Sequence, residues 1–204
     1  ITRASAGDFS NVSNIECITV SGMTAAGTLV FGADAEAAFA PGVTPIIKLA
    51  AGSTGLTIDT TAFTGPVIIQ DNAGNNIFNT GAGDDTIISS TGTDVFNTDG
   101  GDDVIRVSGT DLDITDVLNT GAGNDTVEMD NSGGAVNAVS NLDTNATVEN
   151  YVLTDDGDRF ANVFDGDNNT LEFQNGNVNT LTTINVDLTA LTDPHDTARV
   201  TLNA

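Results

Sequence analysis

Acidic side chains set beside glycines, and repeated at a fixed interval, are the part of this sequence with a chemistry of its own. From Asp71 the chain reads in nines: 71–79, 80–88, 89–97 and 98–106. The fourth place of each copy is Gly74, Gly83, Gly92 or Gly101, and the sixth is Asn76, Asp85, Asp94 or Asp103. The eighth is apolar throughout: Phe78, Ile87, Phe96, Ile105. A fifth copy, 120–127, carries Gly121, Gly123, Asp125 and Val127, and starts four residues beyond the nine-residue phase, which would begin it at Asp116. Carboxylates recurring in Gly-rich turns are hard oxygen donors, and their chemistry is that of binding a divalent cation.

The elements that hold these donors follow from the same spacing. A short strand turns its apolar eighth residue inward, and a Gly-rich turn reverses the chain through backbone conformations that side chains resist. Nine residues then make half a coil, so positions eighteen apart stack. Asp85 is expected over Asp103, and Asn76 over Asp94. Adjacent strands lie about 4.8 Å apart, and two carboxylates at that distance repel by roughly 3 kcal/mol at an effective dielectric of about 20. Repeated along a spiral, this opposes folding unless a cation intervenes. Calcium accepts 6–8 oxygens at about 2.3–2.6 Å, which turn carbonyls and one Asp per coil can supply; magnesium, with its strict octahedron, suits such a site less well.

The run resembles the repeat-in-toxin (RTX) nonapeptide, Gly-Gly-x-Gly-x-Asp-x-apolar-x. Copies 80–87 and 120–127 lack only the first Gly, and 98–105 has Asp99 where the second Gly is expected. Copy 89–96 keeps the fourth, sixth and eighth places, while 71–78 has Asn76 in place of the Asp. The resemblance covers about 60 residues, 71–130. It implies an all-β fold, a right-handed parallel β-roll or β-solenoid loaded with several calcium ions. It also implies a ligand set: Asp85, Asp103 and Asp125 in one column, Asp94 on the opposite side, and the carbonyls of Gly81, Gly83, Gly101 and Gly123 completing the spheres. The phase slip before Thr120 puts the pairing of Asp103 with Asp125 on a weaker footing than that of Asp85 with Asp103.

Outside the run, apolar pairs and triplets recur between polar turns: Leu29-Val30-Phe31, Ile46-Ile47, Leu56-Thr57-Ile58, Val67-Ile68-Ile69, Val127-Glu128-Met129, Leu171-Glu172-Phe173, Ile184-Asn185-Val186 and Val200-Thr201-Leu202. They read as short strands of one solenoid spanning 1–204, with N-terminal coils in 1–70, the calcium coils in 71–130 and C-terminal coils in 131–204. Asp34 to Ala40 reads as a helical turn with Asp34 as its cap. Ile15-Glu16-Cys17-Ile18-Thr19-Val20 aligns with Val148-Glu149-Asn150-Tyr151-Val152-Leu153. Such segments beside RTX turns are similar to those of bacterial surface-layer and other large secreted RTX proteins. Cys17, the single cysteine, reads as a small strand residue.

Composition narrows the function. The 204 residues carry 29 acids against 5 bases and one histidine, a formal charge of −24. Only 5 of the acids are Glu. Such a charge repels phosphate backbones and anionic membrane surfaces, so neither nucleic acid nor membrane insertion is expected. No stretch approaches the roughly 18–20 apolar residues of a membrane helix. With 39% hydrophobic residues the chain is too apolar for a charged disordered tail.

Other site patterns fail. Gly81-Ala82-Gly83-Asp84-Asp85-Thr86 begins like a dinucleotide fingerprint but lacks its third Gly and faces two carboxylates to the pyrophosphate. Asp165-Gly166-Asp167-Asn168-Asn169 begins like an EF-hand, but its sixth and twelfth places are Thr170 and Gly176. Asp155-Asp156-Gly157-Asp158 reads as a solvated turn, Asp111, Asp113 and Asp116 as caps of the opposite column, and His195 as part of a surface turn. No nucleophile elbow is present, and no enzymatic activity is expected. The expected function is therefore a secreted, extracellular structural protein whose copies assemble into a surface layer or filament. The alternative is a calcium-rigidified adhesin or carbohydrate-binding module with cell-surface glycans as partners; a third reading is the calcium-binding tail of a secreted hydrolase.

Overall fold

Three-residue strands with one apolar centre cannot stand alone; they persist only by stacking on neighbours of the same pattern. The computed structural model describes residues 9–23, 26–108, 111–112, 115–130, 137–138, 148–154, 168–173, 185–187 and 197–202. Its elements begin with β1 (Ile18–Val20), β2 (Gly27–Val30), α1 (Ala33–Ala38), β3 (Ile46–Leu49), β4 (Leu56–Asp59) and β5 (Ile68–Gln70). The repeat region holds β6 (Ile77–Asn79), β7 (Thr86–Ile88), β8 (Val95–Asn97), β9 (Val104–Ser108), β10 (Val117–Asn119) and β11 (Thr126–Asp130). Then follow β12 (Asn137–Ala138), β13 (Asn150–Thr154), β14 (Asn168–Phe173), β15 (Asn185–Asp187) and β16 (Thr197–Leu202). Each of the eight apolar segments picked out above overlaps one of these strands.

The fold is a parallel β-solenoid. The odd-numbered strands from β1 to β15 form one sheet in chain order, and β2 to β10 form a second from the even-numbered strands. Strands β12, β14 and β16 pair in a third. Every pairing is parallel. The eighth places meet in register: Ile47, Ile69, Ile87, Ile105, Val127 and Tyr151 are successive partners in the first sheet. Leu29, Ile58, Phe78, Phe96 and Leu118 are successive partners in the second. Both columns face inward and form the core. Phe78 and Phe96 stack at 5.7 Å between ring centroids. Burying each such side chain stabilises the coil by about 1.5–3 kcal/mol.

Coil length is 18 residues only where the nonapeptides are uninterrupted. Asp85 and Asp103 are 18 apart, whereas Asp103 and Asp125 are 22 apart yet keep the same register. The four extra residues fall between β9 and β10, where Leu112 is buried, so the slip is absorbed in one turn and the Asp column continues. The earlier coils are longer and are closed by other means. Helix α1 lies in one of them, and its Glu36 carboxylate accepts the backbone N–H groups of Thr64 and Gly65 at 3.0 and 2.8 Å.

Two local expectations are corrected. Asp34 does not cap α1: Gly32 is the N-cap, and Asp34 sits within the first turn, where its charge complements the helix N-terminus. Cys17 is exposed and precedes β1 rather than belonging to it. Asp113, Asp155, Asp156, Gly157, Asp158, Asp165, Gly166, Asp167, Gly176 and His195, also singled out above, lie outside the described residues, whereas Asn168, Asn169 and Thr170 fall in β14.

Candidate cation-binding columns

The turn before each repeat strand ends on its sixth residue, and stacking places those residues above one another on either edge of the solenoid. On one edge, Asp85 Oδ1 accepts the Val67 N–H at 2.8 Å. Asp103 Oδ1 accepts the Asp85 N–H at 2.8 Å, and Asp125 Oδ1 the Asp103 N–H at 3.0 Å. Glu149 Oε2 accepts the Asp125 N–H at 2.8 Å and is the last rung of this ladder among the described residues. On the other edge, Asn76 Oδ1 accepts the Leu56 N–H, Asp94 Oδ1 the Asn76 N–H and Asp116 Oδ1 the Asp94 N–H, at 2.7–2.9 Å. The expected arrangement, with Asp85, Asp103 and Asp125 in one column and Asp94 opposite, is the arrangement found.

Each carboxylate spends one oxygen on this ladder. The second is the feature that matters: Oδ2 of Asp85, Asp103 and Asp125 is buried and receives no hydrogen bond. All three residues are at most 1% exposed. A buried ionised oxygen without a donor costs several kcal/mol. Burial pushes the Asp103 and Asp125 carboxyls up to about 6, and Asp94 and Asp71 up to about 7; it also raises Asp85. Neighbouring carboxylates add to the rise, Asp94 acting on Asp71, Asp116 on Asp94, and Asp103 on Asp125. The hydroxyls of Thr80, Thr98 and Thr120, each five residues before an Asp, ease it in part. The Thr80 and Thr98 hydroxyls direct their own protons to the Thr98 and Thr120 carbonyls.

The glycines make the turns thin enough to stack. A Cβ on Gly101 would lie 2.4 Å from the Gly83 carbonyl oxygen, and one on Gly123 would lie 1.9 Å from that of Gly101. Gly101 and Gly123 also hold φ of +130° and +155°, which L side chains rarely adopt. A Cβ on Gly81 would meet the Phe63 carbonyl at 2.3 Å. Among the described residues no three acidic, histidine or cysteine side chains converge on one point. Any ion held here would therefore be bound mainly by carbonyls and by one carboxylate from each coil.

These residues fit calcium: the donors are all oxygen, the second carboxylate oxygens of Asp85, Asp103 and Asp125 receive no hydrogen bond, and the glycines expose carbonyls that side chains would cover. The ladder's upper end is a residue that the nonapeptide pattern does not reveal. Glu149 stands two places before Tyr151, as Asp125 stands two places before Val127, so the signal was the sixth place filled by a longer acid. Two further ladders were also missed. At the fifth place, Asp84 accepts the Asp102 N–H and Asp102 accepts the Asn124 N–H, running opposite in sense to the inner ladder. At the ninth, the Asn119 amide donates to Asn97 and the Asn97 amide to Asn79, at 2.8 and 2.7 Å. These three asparagines line a shallow groove of about 540 Å³ with Thr61, Thr80, Asp99 and Gly121.

Fold and site together define a parallel β-solenoid with two columns of buried sixth-place side chains, one of which holds the half-satisfied carboxylates of Asp85, Asp103 and Asp125. No protein-family model, no curated protein and no solved structure matches the chain.

Proposed function

We propose that the protein is a calcium-stabilised structural solenoid of the cell exterior, whose copies join into a surface layer or filament. The observation that carries the calcium part is the row of buried Oδ2 oxygens on Asp85, Asp103 and Asp125, which receive no hydrogen bond. Ions between the coils would pair with these oxygens and with the carbonyls of Gly81, Gly83, Gly101 and Gly123; Asp94 would serve the opposite edge. Millimolar calcium, as found outside cells, suits such carbonyl-rich sites. The assembly part is supported by the strand edges: among the described residues no strand pairs with the outer edges of β1, β2, β15 or β16. Open parallel edges recruit further strands. The charge of −24 opposes close approach of copies, and bound calcium lowers it.

Sedimentation velocity in millimolar calcium and in excess chelator tests both parts. The expected result is an expanded, slow species in chelator and large species in calcium. The same compact particle in both solutions would remove the calcium reading. A calcium-compacted monomer would remove the assembly reading. The asparagine groove favours a second reading, a glycan-binding module: its stacked amides offer an uncharged row of donors and acceptors on a strongly acidic protein. A calcium-loaded monomer retained on a glycan column, with loss of retention in Asn97→Ala, would select it.

A further inference from the structure

Asn76 occupies the sixth place of its repeat, and its side-chain oxygen plays the part of a ladder carboxylate by accepting the Leu56 N–H at 2.9 Å. Its nitrogen, Nδ2, therefore stands where the other repeats have the second carboxylate oxygen. That nitrogen donates to three oxygens of its own turn: Asp71 Oδ1 at 2.9 Å, the Gly74 carbonyl at 3.0 Å and the Asn72 carbonyl at 3.5 Å. These are the first, fourth and second places of the nonapeptide. Asn76 is 1% exposed, so no water replaces these bonds.

We infer that Asn76 closes the second column with its own amide, supplying the positive end of an N–H dipole where the following coils call for a cation. The inference rests on the calcium reading for its ion count, though not for its effect on the ion-free protein. An amide nitrogen carries two donors and no charge, so it serves Asp71 Oδ1 and the turn carbonyls at any calcium concentration, while Asp71 Oδ2 stays buried without a partner. A carboxylate at the same place would turn an ionised oxygen toward Asp71 Oδ1 and two carbonyls, which is stable only around a cation or a proton. Asp94, one coil on, carries an ionisable oxygen there, with Ser89 Oγ at 3.5 Å from Oδ2 and with Asp71 and Asp116 as neighbouring carboxylates. Asn76 thus marks the boundary at which the solenoid passes from coils that fold without an ion to coils that require one. The ion-free coils supply a formed edge on which the dependent coils stack.

The two substitutions that test this run in opposite directions. Asn76→Asp should bind one more calcium per chain than the wild type, counted by native mass spectrometry, and should melt at least about 4 °C lower in chelator at pH 7.5. Asp94→Asn should bind one fewer ion and melt at least about 4 °C higher in chelator. An unchanged ion count in Asn76→Asp, with a calcium-loaded wild type, would overturn the inference and leave the calcium reading standing. A chelator melting order other than Asp94→Asn above wild type above Asn76→Asp would also overturn it. A wild type that takes up no calcium would remove the calcium reading, while the melting order still decides the role of the amide.

Discussion

The coils before Asp71 and those after it share a backbone plan and differ in what fills the sixth place. In the earlier coils that place, two residues before the inward Ile47, Ile58 and Ile69, is Pro45, Leu56 or Val67. Leu56 and Val67 are 1% exposed, and burial of each stabilises the fold by about 1.5–3 kcal/mol. In the later coils the place is Asp except at Asn76 and Glu149, and a carboxyl raised from 3.8 to about 6 costs about 3 kcal/mol at neutral pH, at about 1.4 kcal/mol per unit. An ion at about a hundred times its Kd returns about 2.7 kcal/mol. One ion per carboxylate therefore roughly offsets the cost, and without it the later coils stand on their apolar column alone. On the calcium reading, the same backbone would be held by core packing alone in one half and by packing together with a ligand in the other.

The largest expected effect separates the two halves directly. In chelator at pH 7.5, hydrogen exchange of β7, β9 and β11 should become fast while β3, β4 and β5 remain protected; restored calcium should protect all six. Uniform loss across both halves would mean that the boundary is not energetic. Gly101→Ala should be nearly as severe, because its Cβ meets the Gly83 carbonyl oxygen at 2.4 Å with φ at +130°. A loss of 3 kcal/mol or more in calcium is expected, at the scale of stored backbone strain and overpacking combined. Gly52→Ala, at φ +85° with open space around it, should cost about 1–2 kcal/mol and is the matched control in the earlier half.

The pH response should also divide the halves. The carboxyls of Asp71, Asp85, Asp94, Asp103 and Asp125 have folded values raised above 3.8, so the folded state holds more protons than the unfolded state in that window. Their contribution is present below about 4 and is lost as pH rises through the folded values, about 6 for Asp103 and Asp125 and about 7 for Asp71 and Asp94. In chelator, the melting temperature should fall by about 10 °C or more between pH 5 and pH 7.5. In calcium the slope should shrink or reverse, because binding needs ionised carboxylates. A chelated protein whose stability rises over that range would contradict the assignment. The smallest effect belongs to the surface. Arg106 and Glu128 form an ion pair across β9 and β11 with both side chains substantially exposed, and Arg106→Ala should change stability by no more than about 0.5 kcal/mol.

The fold was legible because the apolar eighth place recurs in phase, and phase is what parallel stacking preserves: Phe78, Phe96, Ile87 and Ile105 each fall in the inward columns. The columns of Asp85, Asp103 and Asp94 were legible for the same reason. Continuation of the first column to Asp125 was less so, because a nine-residue phase has no means of saying which turn absorbs four extra residues; the β9–β10 turn does so by burying Leu112. Glu149 escaped because the residues before it lack the glycines that mark the motif, although its carboxylate accepts the Asp125 N–H as the other ladder residues accept theirs. The ladders of Asn79, Asn97 and Asn119 escaped because asparagine between strands also reads as an ordinary turn residue. The helix cap at Gly32 was misplaced onto Asp34 because side-chain preference outweighs glycine in sequence, whereas here the extended backbone of Gly32 sets the helix start.

The central claim is that cations lie beside the buried second oxygens of the Asp columns. Crystals grown in calcium and exchanged with terbium, with anomalous differences measured at the terbium edge, test it most directly. The account predicts peaks within about 2.3–2.6 Å of Oδ2 of Asp85, Asp103 and Asp125, shared with glycine carbonyls of the stacked turns. Absence of anomalous density at all three carboxylates, in crystals whose fold is intact at neutral pH, would contradict it.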